Sequence, residues 1–202
     1  MIGTNPLPFV RQYYVDNIVS AYRAASPRVK RLGRAWYPNA HDLAELIGEG
    51  DVRKGAGILA ALSANKGWAE NVRLAQDAGS GNIHGHVRNA LDKVELIASG
   101  TDPRFVLHGL KTTNFFQCIL DPTDDFPVAV DRHAHDVAVA KTYGEEPRGL
   151  STPSRYNMLA MCYRSAGAQL KVVPSRVQAT VWIAHREAIS GVGHRGQLTG
   201  GA

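Results

Sequence analysis

The chain has 202 residues, 44% hydrophobic and 20% charged, which is the balance of a globular fold with room for one core or two small lobes. No apolar run reaches the roughly 18 residues of a membrane span, and two cysteines, Cys118 and Cys162, are too few for a disulfide framework. A net charge of +5 and a pI near 9.4 suit a polyanionic partner.

The N-terminus, Met1-Ile2-Gly3-Thr4-Asn5-Pro6, lacks the charged and apolar regions of a secretory signal. Both cysteines sit in apolar helical patterns, so they are expected to be buried free thiols in a reducing, cytoplasmic compartment.

Residues 1–10 are proline-rich and predicted irregular. Gln12 to Ala25 carries Tyr14, Ile18, Val19 and Tyr22 at helical spacing, with Pro27 as its stop. Arg28, Lys30, Arg31 and Arg34 follow, with no acid between Asp16 and Asp42, so this cluster is a candidate phosphate contact. Arg176, Arg186 and Arg195 are further basic positions. Trp36 to Asn39 is predicted to be a turn, with Asn39 capping a helix through Leu43, Leu46 and Ile47. Gly48 to Asp51 ends that helix, and Asp51 can cap the next. That next helix, small and apolar from Ala56 to Leu62, belongs in the middle of a core.

Ser63-Ala64-Asn65-Lys66-Gly67 separates it from a helix that begins near Trp68. The glycine-rich loop Gly79 to Gly85 lacks the spacing and lysine of a phosphate-binding P-loop. Val87, Leu91, Val94, Leu96 and Ile97 mark a helix closed by Gly100, and Asp102-Pro103 opens a short segment. Thr152-Pro153 or Ser154 begins a helix with Met158, Leu159, Cys162, Tyr163 and Ala166 on its apolar face. Pro174 or Ser175 begins the last, with Val177, Val181, Trp182 and Ala184, and the tail from Ser190 is expected to fray. About nine helices and no strand are predicted, an all-α fold.

The stretch from Phe105 to Lys141 carries the densest signal. His108-Gly109-Leu110 is a tight turn, Lys111 opens a helix with Phe115, Phe116, Ile119 and Leu120 on one face, and Phe126 to Val130 is an extended apolar run. Asp131 then precedes a helical stripe of Ala134, Val137, Ala138 and Tyr143, where its carboxylate can accept first-turn N–H groups.

Gly109, Lys111, Thr112 and Asn114, followed by Val130, Asp131, His133 and Val137, resemble the helix-hairpin-helix DNA glycosylases of the endonuclease III type. Leu62-Ser63-Ala64-Asn65 resembles that family's Leu-Ser-Ala-Gln segment, and residues 89–94 lie where its pre-hairpin helix would be. The resemblance covers about residues 52–141. It implies a two-lobed helical fold with a cleft, one lobe from 1–50 and 142–202 and the other from 51–141. Double-stranded DNA is the implied partner, with no membrane, and neither a cofactor nor a metal is expected. Two cysteines cannot hold the four-cysteine iron–sulfur cluster of many relatives.

The implied activity is cleavage of the N-glycosidic bond of a flipped nucleotide, with or without strand cleavage. Asp131 would stabilise positive charge building on the sugar, and Lys111 would attack the sugar carbon to leave an imine. Asn65 would fill the gap in the stack, and His108, Gly109 and Thr112 would grip the backbone. The family normally carries Gly-x-Gly where this chain has Leu107-His108-Gly109, so the hairpin is short of one glycine.

Two alternatives stand beside this. The fold could serve modification of viral DNA bases, or DNA binding without turnover. A metal-dependent phosphohydrolase would use His84, His86, His133, His135 and Asp136. However, His133 and His135, two apart on a helix, diverge by about 160° to 200° around its axis.

Overall fold

A computed structural model describes residues 8–197, with side chains for residues 9–190. Among them are ten helices and no strand: α1 (Pro8–Ala24), α2 (Pro27–Ile47), α3 (Val52–Ala61), α4 (Trp68–Gly79), α5 (Arg88–Ala98), α6 (Pro103–Val106), α7 (Leu110–Leu120), α8 (Arg132–Val139), α9 (Pro153–Leu170) and α10 (Pro174–Gln197). The fold is all-α.

Two compact units divide the chain. One comprises residues 1–36 and 130–202, the other residues 37–129. Asp131 thus belongs to the unit built from the chain's two ends, whereas the sequence grouped it with the hairpin.

In the central unit α3 packs against α4, α5, α6 and α7. Every residue from Gly55 to Ala61 is buried, as a helix apolar on all sides requires. Asp51 caps it by accepting the Lys54 N–H at 3.1 Å. Small residues allow close approach: a Cβ on Gly55 would lie 1.8 Å from the Ala44 carbonyl oxygen. In the terminal unit α1 packs on α8, α9 and α10, and α10 packs on α8 and α9. The aligned core residues of α9 are Tyr156, Leu159, Tyr163 and Ala166, all buried.

One predicted boundary is corrected. Trp36 to Asn39 is not a turn, and Asn39 caps nothing, because α2 runs unbroken through Pro38. Pro38 forfeits one N–H bond in the helix interior. Against that, Val29, Gly33, Tyr37, Ala40, Ala44 and Ile47 are buried at helical spacing on both sides of it, and this continuous stripe outweighs the local penalty.

Smaller corrections follow at other ends. Pro27 starts α2 rather than merely ending α1, Tyr143 lies beyond α8, and α10 continues to Gln197 past the predicted fray point. Of the predicted irregular residues 1–10, those from Pro8 onward are helical and 1–7 lie outside the described residues, as does the side chain of Arg195.

Candidate functional site: a glycine hairpin and a capped aspartate

The hairpin is built in the central unit. Asp102 caps α6, accepting the Arg104 N–H at 2.9 Å, and Arg104 and Arg53 also face its carboxylate. The hydrogen bonds from Arg104 hold the Asp102 carboxyl down at about 2. Pro103 supplies the fixed φ of a first helical position.

The loop is three residues long. Leu107 is buried with ordinary extended backbone, φ −79°, while Gly109 takes φ +88°. The glycine missing at position 107 is therefore not needed for the chain to turn, since the one left-handed residue of the loop is a glycine.

Gly109 is the N-cap of α7 and offers no side chain to the helix start. The backbone N–H groups of Leu110, Lys111 and Thr112 have no acceptor within the helix and sit at the positive end of its dipole. His108 and Lys111 are exposed beside them, and Thr112 is half-buried. Thr113 Oγ1 donates to the Gly109 carbonyl at 2.6 Å, bracing the loop. Asn114 donates to the Leu110 carbonyl at 2.8 Å and accepts the Val128 N–H at 3.2 Å, tying the helix to the extended run after it. Phe116, Cys118 and Ile119 are the buried face of α7. Burial pushes the Cys118 thiol up to about 12.

Asn65 lies in an exposed turn between α3 and α4, with φ +57°. It is not a helix C-terminal residue, since α3 ends at Ala61.

In the terminal unit Asp131 caps α8. Oδ1 accepts the Ala134 N–H at 2.8 Å, and Oδ2 accepts the Trp182 indole N–H, also at 2.8 Å. Trp182 meets Trp36 edge-on with centroids 6.4 Å apart, meets His133 at 6.2 Å, and carries the Arg186 guanidinium 5.0 Å from its ring.

His133 Nδ1 lies 3.3 Å from His185 Nδ1, and Arg132 Nε donates to His133 Nε2 at 3.3 Å. The Arg132 bond leaves His133 Nε2 without a proton, so Nδ1–H donates to His185. Both rings are neutral in this arrangement. Burial, followed for His133 by the charges of Arg132, His185 and Arg186, holds that imidazole below its usual range against the pull of Asp131. Burial likewise lowers His185, opposed by Asp136 and Asp131.

From α9, Tyr156 Oη accepts the Val130 N–H at 3.1 Å and Tyr163 Oη donates to the Ala134 carbonyl at 2.9 Å, so both tyrosines hold backbone that flanks Asp131 in sequence. Tyr163 and Trp182 were read from the sequence as apolar-face residues only, and the place of Trp182, His185, Tyr156 and Tyr163 around Asp131 was not. They lie 26 to 52 residues from their partners, and no local pattern marks such pairs.

The histidines proposed for a metal are otherwise engaged. His84 faces Asp77 at 3.0 Å and His86 faces the Ala64 carbonyl at 2.9 Å. His135 Nε2 accepts from Arg155 Nη2 at 3.2 Å and its Nδ1–H donates to Asp136 at 2.9 Å. Asp136, buried, also binds Arg148 at 2.7 and 2.9 Å and the Tyr143 N–H at 3.1 Å. Burial pushes its carboxyl up, but those hydrogen bonds prevail and hold it at about 2. Among the described residues no group of three or more His, Cys, Asp or Glu is placed to hold an ion.

The basic cluster is partly neutralised. Arg28 pairs with Glu187 at 2.5 Å, an acid supplied by α10, and Lys30 donates to the Arg23 carbonyl at 2.8 Å. Arg31 and Arg34 are exposed and make no ion pair among the described residues. No helix there is long and apolar enough to cross a membrane.

Fold and site thus define an all-α protein with a glycine hairpin in one unit and a capped, indole-bonded aspartate in the other. The chain belongs to a family of unknown function, DUF7178, whose model matches residues 4–189. No curated protein and no solved structure matches it.

Proposed function

We propose that this protein is a DNA-binding base-excision enzyme of the helix-hairpin-helix type, a DNA N-glycosylase with lyase capacity. The observation that carries this reading is the hairpin: a short capped helix, one left-handed glycine, and an uncapped helix start with exposed Lys111 in its first turn. Unfilled N–H groups beside a cation suit a phosphate oxygen of a DNA backbone. Its likeness to the glycosylases adds the roles of Lys111 and Asp131.

In the reaction the Lys111 amine forms a bond to C1′ of the deoxyribose as the C1′–base bond breaks. The electron pair leaves with the base, which takes up a proton. Opening of the sugar ring then converts the amine link to an imine, from which the strand can be cleaved. Asp131 stabilises the positive charge that grows on the sugar. Duplexes carrying varied bases, scored for abasic sites, test this: excision of at least one base is expected, with Asp131→Asn slowing it by about 10² or more. Unchanged excision by that variant removes Asp131 from the chemistry.

DNA binding without turnover is the second reading, and the Asp131 carboxylate itself supports it. Both oxygens already accept an N–H, as a purely structural cap would. A carboxylate has about four acceptor positions, so two bonds leave it able to face a sugar. Tight duplex binding with no abasic product from any base would favour this second reading.

A further inference from the structure

The loop after α4 is rich in glycine and histidine, its spacing is not that of a phosphate-binding loop, and among the described residues its histidines join no group of three or more placed to hold an ion. One of its side chains has a specific target. His86 Nδ1 accepts the N–H of Val87 at 2.8 Å, so that nitrogen carries no proton, and Nε2–H donates to the Ala64 carbonyl at 2.9 Å. Gly85 sets the approach: it has φ +78°, and a Cβ there would lie 2.5 Å from Leu74 Cδ2.

The turn that receives this bond exposes Ala64, Asn65 and Gly67. Asn65 holds φ +57°, a strained region that asparagine tolerates better than most side-chain-bearing residues. Lys66 is fastened to Glu70 at 2.6 Å on the α4 side. Among the described residues, the His86 bond is the one that ties this turn to a distant part of the chain, 22 positions along.

We infer that His86 is a positioning residue, a strut that keeps the exposed Asn65 turn in the shape needed to press into duplex DNA. The inference rests on the duplex-binding reading above. A wedge acts by occupying space vacated in a base stack, so it must already be ordered when it arrives. Removing the strut frees the turn to relax Asn65 toward negative φ, while phosphate contacts elsewhere are untouched.

The test uses the whole protein and a duplex containing 2-aminopurine, whose fluorescence rises when its base leaves the stack. Wild type is expected to raise the signal. At saturating protein, Asn65→Ala and His86→Ala should each reduce that rise about fivefold, with Kd in His86→Ala changed by less than about threefold. His86→Gln, which keeps an N–H donor of similar reach, should restore at least half of it. In the free protein, amide exchange across 64–67 should quicken about tenfold in His86→Ala, with the melting temperature within about 3 °C.

Unaltered exchange in His86→Ala overturns the strut without reference to DNA. A wild-type fluorescence rise in His86→Ala, or a glutamine variant as impaired as alanine, overturns its positioning role while leaving the duplex reading intact. A wild type that binds no duplex removes that reading and the inference with it.

Discussion

Asp131 does two jobs through two oxygens, and its substitutions separate them. Asp131→Ala removes the α8 cap and the partner of the Trp182 indole, and about 1–2 kcal/mol of stability should go with it, read by urea melts. Asp131→Asn keeps one acceptor oxygen and should cost less than that. Lys111 is the opposite case. Exposed in the first turn of α7, it should be replaceable by alanine within about 0.5 kcal/mol, so any loss of activity in that variant is chemical rather than structural. Both residues were legible as candidates because each precedes an apolar stripe in a motif context. What Asp131 touches was not legible, since Trp182 comes to it from 51 positions away.

At the scale of elements, close helix approach is set by glycine. A Cβ on Gly33 of α2 would lie 2.1 Å from Thr180 Oγ1 of α10, and one on Gly55 of α3 would lie 1.8 Å from the Ala44 carbonyl oxygen of α2. Gly33→Ala and Gly55→Ala should each cost about 2–3 kcal/mol, measured by denaturant unfolding, because backbone or packed side chains must move. Periodicity and caps sufficed to read most helices. Asp51 and Asp131 were readable as caps because the side chain and the helix start are adjacent in sequence. Pro38 misled for a complementary reason: its local cost is plain in the sequence, whereas the burial of Tyr37, Ala40 and Ala44 that offsets it is tertiary.

Across the whole molecule, acid sensitivity follows from buried polar groups. His133, His135 and His185 all have imidazoles lowered from the ordinary value of 6.5, in each case chiefly by burial. A base whose pKa falls on folding holds its proton more tightly in the unfolded chain. Its share of stability is therefore complete above about 6.5 and is lost as pH drops below it. Asp136, at about 2 in the fold against 3.8 ordinarily, adds a contribution that is complete above 3.8 and is lost as pH falls toward 2. The melting temperature should fall by about 3–8 °C between pH 7.5 and pH 5 and drop further below pH 4. A profile that is flat or rises on acidification contradicts these environments. At this scale helical periodicity conveyed the all-α class and composition the basic charge, while the division of the chain near residues 36 and 129 depends on contacts that neither encodes.

Lys111, in the first turn of a hairpin helix whose N-cap glycine offers no side chain, is the proposed nucleophile toward DNA. Borohydride trapping on duplexes from which the protein excises a base, with peptide mapping of the adduct, decides whether it acts as one. A covalent protein–DNA species is predicted, mapped to Lys111 and absent from Lys111→Ala. Excision that proceeds with no trapped species, or an adduct that maps to another amine, would contradict it.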